Sequence, residues 1–237
     1  MNQARQALRD EALRPLLTTS GLSALLLATA WLSGRDRVMR LDGRLTAAIR
    51  AHPVPYADIA ITVTQWLFSA QVLLLAVALA VIALWLSGRR SVAASLARFF
   101  PAVVVGFILK VALRLPAPET VVVNGQLARG GCTALECGFP SGHVLRAAFL
   151  LLWLALVVAP LRGRPLASAA AVVVTVAVAW TRVYSGDHFV LDVVGGALTA
   201  LTFLPAAVAA TRQANEGARW GLSVGPGGLL FPVRKAG

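Results

Sequence analysis

Apolar residues gather in long blocks along this chain, and the blocks predict its elements. Six are long enough to read as helices crossing ~30 Å of hydrocarbon. They fall at about 16–33, 66–86, 92–113, 142–159, 166–183 and 188–210. The second sits inside a longer apolar run, 60–86, and the stretch from Tyr56 to Ser69 reads as a helical lead-in at the interface. The first follows a head carrying Arg5, Arg9 and Arg14, with no convincing small-residue cleavage site after it, and reads as an uncleaved anchor. Between spans 1 and 2, residues 36–50 place Val38, Leu41, Leu45 and Ile49 on one helical face, with Arg37, Arg40 and Arg44 on others. That pattern suits a helix lying on the membrane surface, or equally a loop helix packed on the bundle. Beyond 210 the chain becomes Gly-rich, and 211–237 reads as a flexible tail. The expected fold is all-α: a six-transmembrane-helix bundle forming one membrane-embedded domain over 1–210, with an interfacial amphipathic helix between spans 1 and 2.

Composition sharpens the class. At 58% hydrophobic residues and a mean hydropathy of +0.75, the chain lies outside the range of soluble domains. A net charge of +12 would suggest nucleic acid in a soluble protein. Here the arginines sit between apolar blocks, where they anchor helices, so a lipid bilayer is the expected partner and nucleic acid is not. The Lys and Arg distribution favours a cytoplasmic N-terminus. Cys132 and Cys137 lie in one polar loop without further ligands at zinc-like spacing. A short disulfide and two unpaired thiols both fit.

The chemistry-bearing residues sit at span ends, all on one side. Lys110 and Arg114 close the third span; Ser141, Gly142 and His143 open the fourth; Arg182 closes the fifth; His188 and Asp192 open the sixth. Snorkelling explains a Lys or Arg at a helix end, but not two histidines and an aspartate. His188 and Asp192 are i, i+4 and share a helical face. An Asp that accepts the Nδ1 proton leaves Nε2 as nucleophile or base. Ser141 can cap the fourth helix, and Gly142 admits close backbone approach at an anion-favouring N-terminus. Imidazoles, backbone donors and cations together suit a phosphate ester. Few carboxylates remain for magnesium, so no metal and no cofactor is expected.

These residues resemble the type 2 phosphatidic acid phosphatase (lipid phosphate phosphatase) superfamily, in its bacterial membrane-integral branch. Its three motifs are K-x6-R-P, P-S-G-H and S-R-x5-H-x3-D. The second stands as Pro140-Ser141-Gly142-His143, and the third as Thr181-Arg182, then His188, then Asp192. The first keeps Lys110 and Pro118 but has Ala117 where the Arg belongs. A charged hydrogen bond contributes roughly 1.5–3 kcal/mol, so the loss matters. Arg114, one turn after Lys110, or Arg146, three residues after His143, could replace it.

The resemblance implies a mechanism and a place. His188 would attack phosphorus, Asp192 would orient it, and His143 would protonate the leaving oxygen and later activate water. Lys110, Arg182, Ser141 and Gly142 would hold the phosphoryl oxygens. The substrate would be a lipid phosphate or polyprenyl pyrophosphate, at the outer face of a bacterial plasma membrane. Undecaprenyl pyrophosphate is favoured by analogy alone. A phosphotransferase with the same intermediate, and a non-catalytic lipid-binding bundle, are the competing readings. His52 matches no motif and reads as structural or interfacial.

Overall fold

The computed structural model describes residues 2–118, 138–224 and 230–234, with side chains placed over 15–118 and 138–211. Cys132 and Cys137 lie outside the described residues. The elements in order are α1 (Asn2–Ser33), α2 (Asp36–Arg50), α3 (Ala57–Leu67), α4 (Ala70–Leu86), α5 (Arg90–Ala97), α6 (Phe99–Leu113), α7 (Gly142–Trp153), α8 (Arg164–Tyr184) and α9 (Val190–Arg219). A π-turn, Leu154–Val158, extends α7. The hairpin β1 (Trp220–Val224) and β2 (Leu230–Arg234) follows α9. Its strands pair antiparallel, Trp220 opposite Arg234. Residues 211–219, expected as tail, therefore continue the last helix.

Among the described residues, four segments are long and apolar enough to cross a membrane: Pro15–Ser33, Arg90–Leu113, Leu161–Tyr184 and Val190–Thr211. A fifth forms if α3 and α4, bent by 44°, count as one span. The expected lead-in is thus α3, a separate helix. Ser69 caps α4 by accepting from Val72 N at 3.3 Å, so the chain restarts rather than continues there. The expected fourth span, Gly142–Val158, is a shorter apolar helix.

Helix α9 is the centre, packing against α1, α5, α6 and α7. The main core joins Phe99, Leu145, Phe149, Trp153, Leu204 and Ala207. Phe99 and Phe149 meet edge to face at 5.7 Å. Large apolar side chains such as Leu17, Leu27, Val173 and Leu79 point outward, as a hydrocarbon solvent requires. Hydroxyls in α1 turn back onto their own helix: Thr29 Oγ1 donates to Leu25 O and Ser33 Oγ to Thr29 O.

Helix α2 lies against α8 and α9. The residues it buries are Asp42 and Thr46, while Leu41 and Leu45 are 58% and 57% exposed. Leu41 and Leu45 face away from the bundle, whereas Val38 and Ile49 are half-buried and Ile49 packs on the core; Asp42 and Thr46 face inward, Asp42 toward the backbone donors at the start of α9.

A buried chain of hydrogen bonds ties three helices. Trp153 Nε1 donates to Ser95 Oγ at 2.8 Å, and Ser95 Oγ donates to Ala207 O at 2.6 Å. Ser95→Ala should leave the indole N–H unpaired and cost about 1–3 kcal/mol. Thermal unfolding in detergent, Ser95→Ala beside wild type, checks this as a lowered Tm.

Candidate active site

The site begins with the way α9 starts. Phe189 N donates to Asp192 Oδ2 at 2.9 Å, and the same oxygen lies 3.4 Å from His188 Nδ1. Both His188 and Asp192 are buried. The i, i+4 pairing read from spacing is therefore present, and the carboxylate fixes the ring through Nδ1.

The loop before α7 locks onto this turn. Ser141 N donates to Asp192 O at 2.8 Å. The approach is close because α9 carries Gly195 and Gly196: a Cβ at Gly195 would strike the ring of Phe139, and one at Gly196 would strike Ser141 O. Gly138 packs on the other side, where a Cβ would lie 2.5 Å from Asp192 Oδ2 and 2.9 Å from Pro116 O. Lys110 Nζ donates to Gly138 O at 3.2 Å, which sets its ammonium beside this loop.

Three further site residues hang from α3. Arg182 Nη2 donates to Ile61 O at 2.9 Å and to Thr64 Oγ1 at 3.3 Å. His143 Nε2 meets Gln65 O at 3.3 Å; a carbonyl only accepts, so this nitrogen donates. Arg146 Nε donates to Phe68 O at 2.7 Å. Residues 61, 64, 65 and 68 form one helical face, so a single stripe of α3 carries all three. Asp187 completes the set, accepting from Arg182 Nη1 at 3.1 Å and from Ser185 Oγ at 2.8 Å.

Lys110, Ser141, Gly142, His143, Arg146, Arg182, His188 and Asp192 are thus brought to one end of the bundle. The charges that act most on His143 are Arg146, Arg182 and His188, and those on Lys110 are Asp192 and Arg146. Arg114 is exposed and caps α6 in a left-handed conformation (φ 46°), with its Nε donating to Val111 O. Among the described residues, two buried polar atoms of the cluster, Ser141 Oγ and Arg182 Nε, have no hydrogen-bond partner. His52 is exposed outside this cluster, and its carbonyl accepts from Tyr184 OH at 3.3 Å.

Sequence reasoning missed the part that α3 plays here, and with it Asp187, Gly138 and Asp42. The α3 contacts are mostly backbone carbonyls, which carry no residue signature; Thr64, a hydroxyl in an apolar run, is the one available hint.

A multi-pass helical membrane protein with a His–Asp pair, a second histidine and buried cations at one end defines the class. The chain belongs to the PAP2 superfamily: the family model matches residues 90–216, more than half its length. A solved structure similar to it is the crystal structure of a transmembrane PAP2 type phosphatidylglycerolphosphate phosphatase from Bacillus subtilis. The TM-score is 0.67 at 20% identity, over 83% of this chain and 96% of that one. At that identity the likeness establishes the fold. No curated protein matches the chain.

Gly196→Ala should force α9 away from Ser141 and Leu145, at about 1–3 kcal/mol of overpacking. A lowered Tm together with faster amide exchange at Ser141 is the expected result; exchange like wild type would show that the joint does not need the glycine.

Proposed function

We propose that this protein is a metal-independent phosphatase of a phosphorylated membrane lipid, working through a phosphohistidine. The carrying observation is the commitment of His188 Nδ1 to Asp192 beside two buried, unpartnered donors, Ser141 Oγ and Arg182 Nε. That arrangement aims Nε2 at a phosphorus whose oxygens the donors hold.

In the reaction, His188 Nε2 forms a bond to the terminal phosphorus as the bond from that phosphorus to the leaving oxygen breaks, the oxygen departing on the lipid alcohol of a monoester or on the lipid monophosphate of a pyrophosphate. His143 gives a proton to the departing oxygen. Water then attacks the phosphohistidine, His143 takes a proton from it, and inorganic phosphate leaves with His188 restored. Asp192 stabilises the positive charge on His188 while it carries the phosphoryl group. Metal independence rests on the spent carboxylates: Asp192 serves His188 and Phe189 N, and Asp187 serves Arg182 and Ser185.

Arg146 takes the part of the cation that Ala117 does not provide. It is buried, and a Cβ at Gly142 would lie 2.9 Å from its Nη1, so its guanidinium sits at the start of α7 beside Ser141. Arg114 is exposed by contrast. The membrane placement follows the same reading. Six passes arise if α3–α4 and Gly142–Val158 each span, with the N-terminus cytoplasmic and the site outward. Leu41 and Leu45 of α2, flanked by exposed Arg37, Arg40 and Arg44, then rest in the outer headgroup layer.

Purified protein in detergent with EDTA should release phosphate from at least one of phosphatidylglycerol phosphate, undecaprenyl pyrophosphate and phosphatidic acid. His188→Ala should lower kcat on the order of a thousandfold or more. Release from none of the three by folded protein, or full activity in His188→Ala, would sink the reading. Arg146→Ala should lower kcat/KM by about 10–150-fold, the equivalent of one charged hydrogen bond. Arg114→Ala should stay within about twofold, as exposed charges contribute little. Wild-type turnover in Arg146→Ala would refute the assignment of that residue.

A further inference from the structure

Helix α9 has an unusual beginning for a helix that carries a site. The residue before it is Phe189, whose side chain cannot accept a hydrogen bond, so no local cap is available. Its first N–H groups are nevertheless all accounted for. Phe189 N goes to Asp192 Oδ2 at 2.9 Å, and Asp192 N to Phe189 O at 3.2 Å. The remaining two leave the helix: Val190 N donates to Asp42 Oδ1 at 2.8 Å, and Leu191 N to Asp42 Oδ2 at 3.0 Å. One carboxylate from α2 therefore caps a helix that begins 148 residues further along the chain.

We propose that Asp42 is a positioning residue for the His188–Asp192 pair, clamping the first turn of α9 so that Asp192 remains turned toward His188. The argument turns on competition between two carboxylates. Asp192 lies in the first turn of α9, where an acidic side chain is drawn to free N–H groups. With Asp42 on Val190 and Leu191, Asp192 Oδ2 is left for Phe189 N and His188 Nδ1. Without it, the two released N–H groups would pull Asp192 off the imidazole or let the turn fray.

The setting fits a dedicated contact. Asp42 is 5% exposed. Burial pushes its carboxyl above the ordinary carboxylate range, the Leu191 and Val190 N–H groups pull it back, and the nearby Asp192 charge adds to the rise. A buried acid is expensive unless partnered, and here the partners are the helix it caps. Gly43, next in sequence, has Phe189 Cε1 4.0 Å from the place a Cβ would occupy, so α2 and the turn pack face to face. Ser33, Met39, Leu115, Pro116 and Phe189 line the small cleft that Asp42 shares with Asp192. Helix α2 precedes the span matched by the family model, which begins at Arg90, so Asp42 lies outside that span while the turn it holds lies within it.

The kinetic arm of the test rests on the phosphatase reading; the exchange arm does not. Asp42→Ala should lower kcat and the rate of phosphohistidine formation by at least about tenfold, as misplacement of a nucleophile does. KM and inhibition by inorganic phosphate should change less than about threefold, since Arg182 and Ser141 sit on other elements. Amide exchange at Val190 and Leu191 should accelerate while Val144–Phe149 keep their protection. Asp42→Asn, which keeps one acceptor oxygen for the two N–H groups, should recover part of the loss and leave an intermediate effect. Unchanged exchange at Val190 and Leu191, unchanged kcat in Asp42→Ala, or an Asn variant no better than Ala would each overturn the proposal. If Asp42→Ala fails to fold, Asp42→Asn carries the test: exchange at the two amides must rise with kcat falling and KM held. Wild-type protein that releases no phosphate would overturn the phosphatase reading alone, and the exchange comparison would still decide the role of Asp42.

Discussion

An ionisable side chain in a bundle surrounded by hydrocarbon persists only where something nearby accepts or donates to it. Every charged member of this site obeys that constraint, and most meet it with backbone. Arg182, His143 and Arg146 reach carbonyls of α3 and its C-cap. Lys110 reaches Gly138 O, and Asp42 and Asp192 take N–H groups at the start of α9. Backbone partners do not rotate, so the side chains they hold are set before any ligand arrives. Such preorganisation is what electrostatic stabilisation of a developing charge needs.

The second requirement is close approach. The segment Gly138–Ser141 and the first turn of α9 come from motifs far apart in the chain, yet Ser141 N is bonded to Asp192 O. Gly138, Gly195 and Gly196 make room for it, each at a point where a Cβ would collide with backbone, a ring or the Asp192 carboxylate. Phe139, fully buried against Leu26, Ala30 and Leu198, ties the loop to α1. The α1 helix, an anchor by its sequence, thereby also braces the site.

At the opposite end of α7 and α8, an apolar groove of about 400 Å³ runs along Leu151, Leu154, Ala155, Ala167, Ala171 and Val174. It lies two or more helical turns from His143 and Arg182, apart from the polar cluster. The shape comes from the π-turn that ends α7 beside the small residues of α8.

Much of this architecture is legible in the residues alone. Hydropathy locates the helices because each must satisfy its own backbone in lipid and show lipid a continuous apolar surface, a requirement written locally in composition. The two motifs are legible because His188–Asp192 and Ser141–Gly142–His143 work within single helix starts, where spacing alone sets geometry. The bend at Phe68–Ser69 and the orientation of α2 are not, since the stripe holding Leu41 and Leu45 fits the membrane surface and the bundle equally until Asp42 has found the start of α9. Nor is Arg146's place over Gly142, or the stripe of α3 carbonyls beneath three site residues. Sequence by itself determined which segments are helices and which side chains are candidates for chemistry, because both are local properties. Only the tertiary structure decided which cation and which distant carboxylate join them, because backbone groups partner side chains by proximity and leave no mark in the residue type.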